Sequence, residues 1–213
     1  MIVEELTVTA KSGLRERQRR ERGETILQAA FALLAEKGYD ALTMEELAER
    51  VGISRQTLYH HFASKEDIAL RAVMIFAEEG IQSIRSIDPQ LPPIDRLERV
   101  VRWMMEVRFT PTRAAFVKAR PILMHVKASP EYREAFDRRA RAIQEIADAA
   151  IEAGQIEPGL SSAMVVQVLL ALICDPSYEQ LVDSGKATPE EIAGSVALFF
   201  RRGVERRVDA PKV

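Results

Sequence analysis

The chain contains a single cysteine, Cys174, among its 213 residues. That excludes an intrachain disulfide framework and a cysteine-built zinc site. Histidine is nearly as scarce, with only His60, His61 and His125. Two of these are adjacent, and neighbours on a helix point about 100° apart, so they form no metal cage. No metal and no cofactor is expected. No nucleophile–base signature, phosphate loop or metal motif is present, so the chain is not expected to be an enzyme. The longest apolar run, Ala163 to Cys174, has 12 residues and includes Gln167. A bilayer span needs about 20. No apolar stretch of signal-peptide type opens the sequence. The expectation is a protein of a reducing, cytoplasmic compartment with no membrane partner.

Excess charge is also missing. Thirty Lys+Arg against 32 Asp+Glu leave a formal charge of −2, so the overall balance names no partner. What is present is an ordinary globular composition, 47% hydrophobic and 29% charged, which argues against wholesale disorder. The length suggests one or two domains. Charge is uneven locally. Between Lys11 and Arg22 stand six basic residues and two acids, a local +4. A solvated tail or an arm that neutralises phosphates both fit such a run.

Nothing reads as a strand. Apolar residues recur at helical spacing between loops that carry Gly and Pro. Helix 1 is expected from about Arg15 to Lys37, with Gly38 as a left-handed cap. Thr43 and Glu46 form a capping box that opens helix 2. Ser54 caps a short helix 3 ending near His61, and Ser64 caps helix 4, which runs to about Ile87. Pro111, Pro130 and Pro189 each stand at a first-turn position. Pro121 is expected to kink its helix, and Asp175-Pro176 to interrupt the most apolar one. The fold class is all-α, about nine helices. The expected layout is a basic arm (1–22), a helix-turn-helix domain (23–70) and a larger helical domain (71–213), with helix 4 as connector.

The informative segment runs from Leu42 to Lys65. It reads as a helix, a tight turn with Gly52, and a short second helix. Leu47, Ala48, Val51, Ile53 and Leu58 hold the two helices together. Arg55, Gln56, Thr57, Tyr59 and His60 remain outward, and no acid occurs from Ile53 to Ser64. Hydrogen-bonding side chains without carboxylates suit a surface that faces phosphates and base edges.

From about Thr25 to Leu70 the chain resembles the DNA-binding domain of the TetR (tetracycline repressor) family of bacterial regulators. The residues that carry the resemblance are Ile26, Ala29, Ala30, Phe31, Leu34, Gly38, Thr43, Ile53-Ser54, Thr57-Leu58-Tyr59, His61-Phe62 and Ser64-Lys65-Glu66. It implies that Thr43 bonds a phosphate while capping helix 2. Arg55, Gln56 and Thr57 would face bases and backbone, and Tyr59 and Lys65 would contact phosphates. His60 falls at a variable position that often touches DNA. His61 either contacts phosphate or braces the helix end. In this family basic arms sometimes enter the minor groove, which is one reading of Arg15 to Arg22.

For the second domain the resemblance is architectural. It implies a ligand cavity and a homodimer formed through the last two helices. Trp103, Met104, Phe116, Met124, His125, Phe136, Met164 and Tyr178 are the candidate ligand residues. Met and aromatics at helical spacing also make an ordinary core, so both readings stand. Flexible Met side chains suit an adaptable pocket. Cys174 reads as a small core residue. Leu169, Leu170, Leu172, Ile173, Phe199, Phe200 and Val204 exceed what a monomer's surface needs. The implied function is a ligand-responsive transcriptional regulator, acting as a repressor. It binds a palindromic operator in double-stranded DNA as a dimer and releases it on taking up a small apolar or amphipathic effector. The alternative is a DNA-binding protein without small-molecule control.

Overall fold

The computed structural model describes residues 2–118, 124, 126–175 and 177–207, with side chains from Glu16 onward except those of 117 and 118. Among them ten helices occur: α1 (Ile2–Ala41), α2 (Met44–Val51), α3 (Arg55–His61), α4 (Lys65–Arg85), α5 (Pro93–Arg108), α6 (Pro111–Lys118), α7 (Pro130–Glu152), α8 (Ser162–Cys174), α9 (Ser177–Asp183) and α10 (Pro189–Val204). There is no strand among the described residues. A single isolated bridge pairs Ile156 with Glu205. Helices α8 and α9 are the two pieces of the helix expected to break at Asp175-Pro176. The expected kink at Pro121 lies outside the described residues.

The chain divides into two compact units. One comprises Met1–Val73 with Ala114–Val126, the other Met74–Arg113 with Lys127–Val213. In the first unit, Ile26, Ala30, Leu33 and Leu34 recur at helical spacing on α1 and are fully or almost fully buried. Leu42, Leu47, Leu58, Phe62 and Ile68 complete that core. The start of α1 departs from expectation. Helix extends back to Ile2, so the basic run is part of a helix and not an extended arm. Its Leu, Arg, Gln and Glu are good helix formers, and Gly13 alone costs only about 1 kcal/mol. Gly38 does break the helix, but differently from a left-handed cap. Its φ of 81° is positive and its ψ of 174° is extended, a region open essentially to glycine.

Caps set the other boundaries. Thr43 accepts the Glu46 amide at 3.2 Å, and Ser54 accepts that of Thr57 at 3.1 Å. Gly52, at φ 72° and ψ 36°, ends α2 in the left-handed conformation and donates to Ala48 and Glu49. Ser129, Ser161 and Thr188 cap α7, α8 and α10 in the same way. Thr188 and Glu191 satisfy each other's amides in a complete capping box.

In the second unit, α5 packs along α7 and α10, and α8 against α7 and α10. Leu97, Val101, Met105, Ile143, Ala147, Leu169, Ala197 and Phe200 form its centre. Of the apolar residues expected to need outside cover, Leu169, Leu170, Ile173, Phe200 and Val204 are instead buried in the chain's own core, and Leu172 packs partly against it. The helix pair turns those positions inward. Met164, Val168, Leu198 and Phe199 are the ones left exposed. Cys174, expected in the core, is exposed as well. By length and composition alone the stretch Ser162–Asp183 could cross a bilayer. Five of its apolar side chains, Val165 to Ile173, belong to the core of this unit.

Candidate nucleic-acid interface

Residues of α3 are positioned by a short hydrophobic anchor. Leu58 is fully buried and Phe62 nearly so, so the rest of the helix turns outward. Arg55, Gln56, Tyr59 and His60 are exposed, and Thr57 and His61 are half-buried. The Thr57 hydroxyl lies 2.8 Å from that of Ser54, which ties the first turn to its cap. Thr43 is exposed at the start of α2. All eight residues expected to face DNA therefore belong to the first unit, and most project from it.

Two of them are held by neighbours that the sequence pattern did not indicate. Arg55 meets Glu45 at 3.0 Å, both well exposed. Lys65 donates from Nζ to the Tyr39 carbonyl at 3.1 Å. Its ammonium also lies 4.3 Å from the centre of the Tyr39 ring. That carbonyl follows the break at Gly38 and also accepts the Leu42 amide at 3.2 Å, so Lys65 is its second donor. The Tyr39 hydroxyl donates to Glu66 at 3.4 Å. Burial, then the Glu66 charge, pushes the Tyr39 phenol well above its ordinary range. An ammonium has three protons, so Lys65 keeps donors for a phosphate while locked to the end of α1.

His61 is less easily protonated than an ordinary histidine. Burial is the first cause, followed by the charges of Arg19, His60 and Arg22. Its ring stands edge-on to that of His60, with centroids 6.1 Å apart.

The expected ligand residues are divided between the two units, with Phe116 and Met124 in the first. Trp103, Met104, Phe136 and Tyr178 are half-buried. Phe116, in the first unit, is buried. Met124 and Met164 are 68% and 53% exposed, so in the single chain neither lines an interior as expected. Both carry flexible apolar side chains on helical positions that turn outward. His125 lies outside the described residues. A groove of about 580 Å³ runs past Ile84, Ile87, Val100 and Trp103, edged by Arg99, Arg102 and Glu106. Arg113 lies 4.6 Å from the Phe76 ring centre and 5.9 Å from that of Trp103, and pairs with Glu79 at 2.7 Å. Sequence reasoning passed over Arg113, because a cation stacked between aromatics from separate helices has no signature in spacing. Among the described residues no group of three or more His, Cys, Asp or Glu side chains is placed to hold a metal.

A sequence model described as "Bacterial regulatory proteins, tetR family" matches residues 26–72. The matched residues cover α2 and α3 and the adjoining parts of α1 and α4. Over 72 residues the chain is 36% identical to the HTH-type transcriptional regulator TcmR of Streptomyces glaucescens, covering 34% of this chain and 32% of that protein. Over 78 residues it is 38% identical to the HTH-type transcriptional repressor KstR2 of Mycobacterium tuberculosis, covering 36% and 38%. These matches span about a third of the length of those relatives. The fold extends further. The crystal structure of the transcriptional regulator FadR from Bacillus subtilis, in complex with stearoyl-CoA, superposes with a TM-score of 0.66 at 18% identity, covering 84% of this chain and 98% of that one.

Proposed function

We propose that this chain, whose N-terminal domain is a TetR-family helix-turn-helix domain, is a ligand-responsive transcriptional regulator acting as a repressor in the cytoplasm. The observation that carries the reading is the surface of α3. Arg55, Gln56, Tyr59 and His60 stand exposed on a helix anchored by Leu58, with no carboxylate of its own. Arg55, Gln56 and Thr57 read base edges, while Thr43, Tyr59, His61 and Lys65 fix the register on phosphates. His60 adds a contact at the edge of the reading face.

The active species is a homodimer. Met164 and Val168 on α8 and Leu198 and Phe199 on α10 are exposed apolar residues on the helix pair that the family resemblance assigns to dimerisation. Joined about a two-fold axis, two chains present two α3 helices to the half-sites of a palindrome. A small amphipathic effector binds the second domain. The groove beside Trp103 has a volume within the range of small-molecule sites and combines apolar walls with charged edges. The effector shifts the dimer towards an arrangement whose reading heads no longer match the half-sites, and DNA affinity falls by linkage.

The reading is tested by screening compounds for release of DNA selected by this protein. Release by an amphipathic compound, with reciprocal weakening of that compound's binding by DNA, supports it. If no compound releases the DNA, a constitutive DNA-binding protein is the better description.

A further inference from the structure

An open cleft of about 700 Å³ lies between α1 and α3. Arg19, Glu21 and Arg22 of α1 line it together with Thr57 and His61 of α3. Arg19 and Arg22 are exposed and lie outside residues 26–72, which match the family. Arginines on the neighbouring helices are already engaged, Arg50 with Glu36 and Arg55 with Glu45. Among the described residues no carboxylate pairs with Arg19 or Arg22. Gly23 brings the α1 backbone close to the imidazole. A Cβ added there would stand 3.9 Å from His61 Nδ1.

We propose that this cleft seats a backbone phosphate of the bound duplex, held by Arg19 and Arg22 as fixed charges and by His61 as a third donor. The inference rests on the DNA-binding reading and adds a contact from the extended part of α1. Guanidinium groups suit a phosphate because their N–H donors match its oxygens in pairs. Thr57 joins the cleft to the front of α3, so a phosphate there is continuous with the base-reading surface. Because residues 2–22 are helical, the basic run offers a charged helix face to the backbone. It is not an extended strand that could thread a minor groove.

A proton follows the phosphate. The charged groups facing His61 are Arg19, Glu21 and Arg22 from α1 and His60 from its own helix, while α2 contributes only Val51 to the cleft. In the free protein, burial and the surrounding cations favour neutral imidazole. A phosphodiester brings a negative charge into the same space and favours imidazolium. Binding therefore takes up a proton, and affinity rises as pH falls through the ordinary histidine range.

The test is fluorescence anisotropy with a labelled mixed-sequence duplex, across salt concentration and between about pH 8 and about pH 6. The double variant Arg19→Ala/Arg22→Ala is expected to bind roughly tenfold or more weakly at about 0.15 M salt, with a salt slope shallower by nearly two. His61→Gln is expected to flatten the pH dependence. Both arginines are exposed, so thermal melting of the double variant should match that of the unaltered protein. Binding within twofold of the unaltered protein, at an unchanged salt slope, overturns the phosphate cleft and leaves the DNA-binding reading intact. If the unaltered protein binds no duplex at all, the regulator reading fails as well.

Discussion

Arg108 and Glu179, 71 residues apart in the chain, meet in a two-pronged ion pair. Nε reaches Oε1 at 2.6 Å and the second N–H group reaches Oε2 at 2.7 Å. Both side chains are about nine-tenths buried. The same guanidinium donates to the carbonyls of Ile173 and Asp175. Those carbonyls end α8, where the chain breaks at Asp175-Pro176 and a proline supplies no amide hydrogen. One arginine thus fastens α5 to α9 and caps α8 between them.

Glu179→Gln is expected to lower stability by about 3–5 kcal/mol, because it leaves a buried guanidinium without its counter-charge. Urea unfolding measures this. Replacing both partners together, Arg108→Met with Glu179→Leu, should cost less than the two single changes summed. It should not become neutral, since the Ile173 and Asp175 carbonyls lose their donor. A loss below about 1 kcal/mol for Glu179→Gln would mean that the pair is solvated as an exposed one is.

The proposed reading gives Thr43 a phosphate contact beside its observed cap, and one series of variants separates the two. Thr43→Ala should cost about 1 kcal/mol as a lost cap and weaken DNA binding as well. Thr43→Asp keeps an acceptor for the Glu46 amide, so melting should be preserved while the added negative charge repels a phosphate. Equal DNA affinity for Thr43→Asp and the unaltered protein would remove Thr43 from the phosphate contacts.

In the proposed reading Glu45 competes with DNA for Arg55. The pair is exposed on both sides, so breaking it costs at most about 1 kcal/mol. Glu45→Gln is expected to raise affinity a few-fold by freeing Arg55 and removing a carboxylate beside the duplex. Arg55→Ala should cost about 1–3 kcal/mol and relax preference at one base pair, whereas Lys65→Ala should weaken all sequences alike. A change of sequence preference with Lys65→Ala would reverse these roles.

Where the fold was legible in the sequence, the signal was local. Thr43 and Ser54 each declared a helix start and each accepts an amide there, and Pro130 and Pro189 stand in the first turns of α7 and α10 as expected. The α2–turn–α3 segment was legible for the same reason, since its apolar anchors and its left-handed glycine lie within a few residues of each other. What escaped depends on distant partners. The Arg108–Glu179 pair and the stacking of Arg113 between Phe76 and Trp103 join separate helices. The inward turn of Leu169 and Leu170, against the outward turn of Met164, depends on which face of α8 meets α7 and α10. Composition alone describes that helix as apolar all round.

Phe199 is 69% exposed and Leu198 48%, the apolar surface that the proposed dimer covers. Phe199→Glu is expected to yield a folded monomer that binds operator DNA at least tenfold more weakly, because one reading head loses the tethered second. Light scattering should report about twice the chain mass for the unaltered protein at micromolar concentration and the chain mass for the variant. An unaltered protein that runs as a monomer would remove the dimer from the account.

Selection of bound duplexes from a random pool tests the central claim most directly. The account predicts enrichment of a sequence with two-fold symmetry, its half-sites spaced about 34–36 Å or a multiple of that apart, bound by two chains per site. Enrichment of an asymmetric sequence bound by one chain, or no enrichment at all, would contradict it.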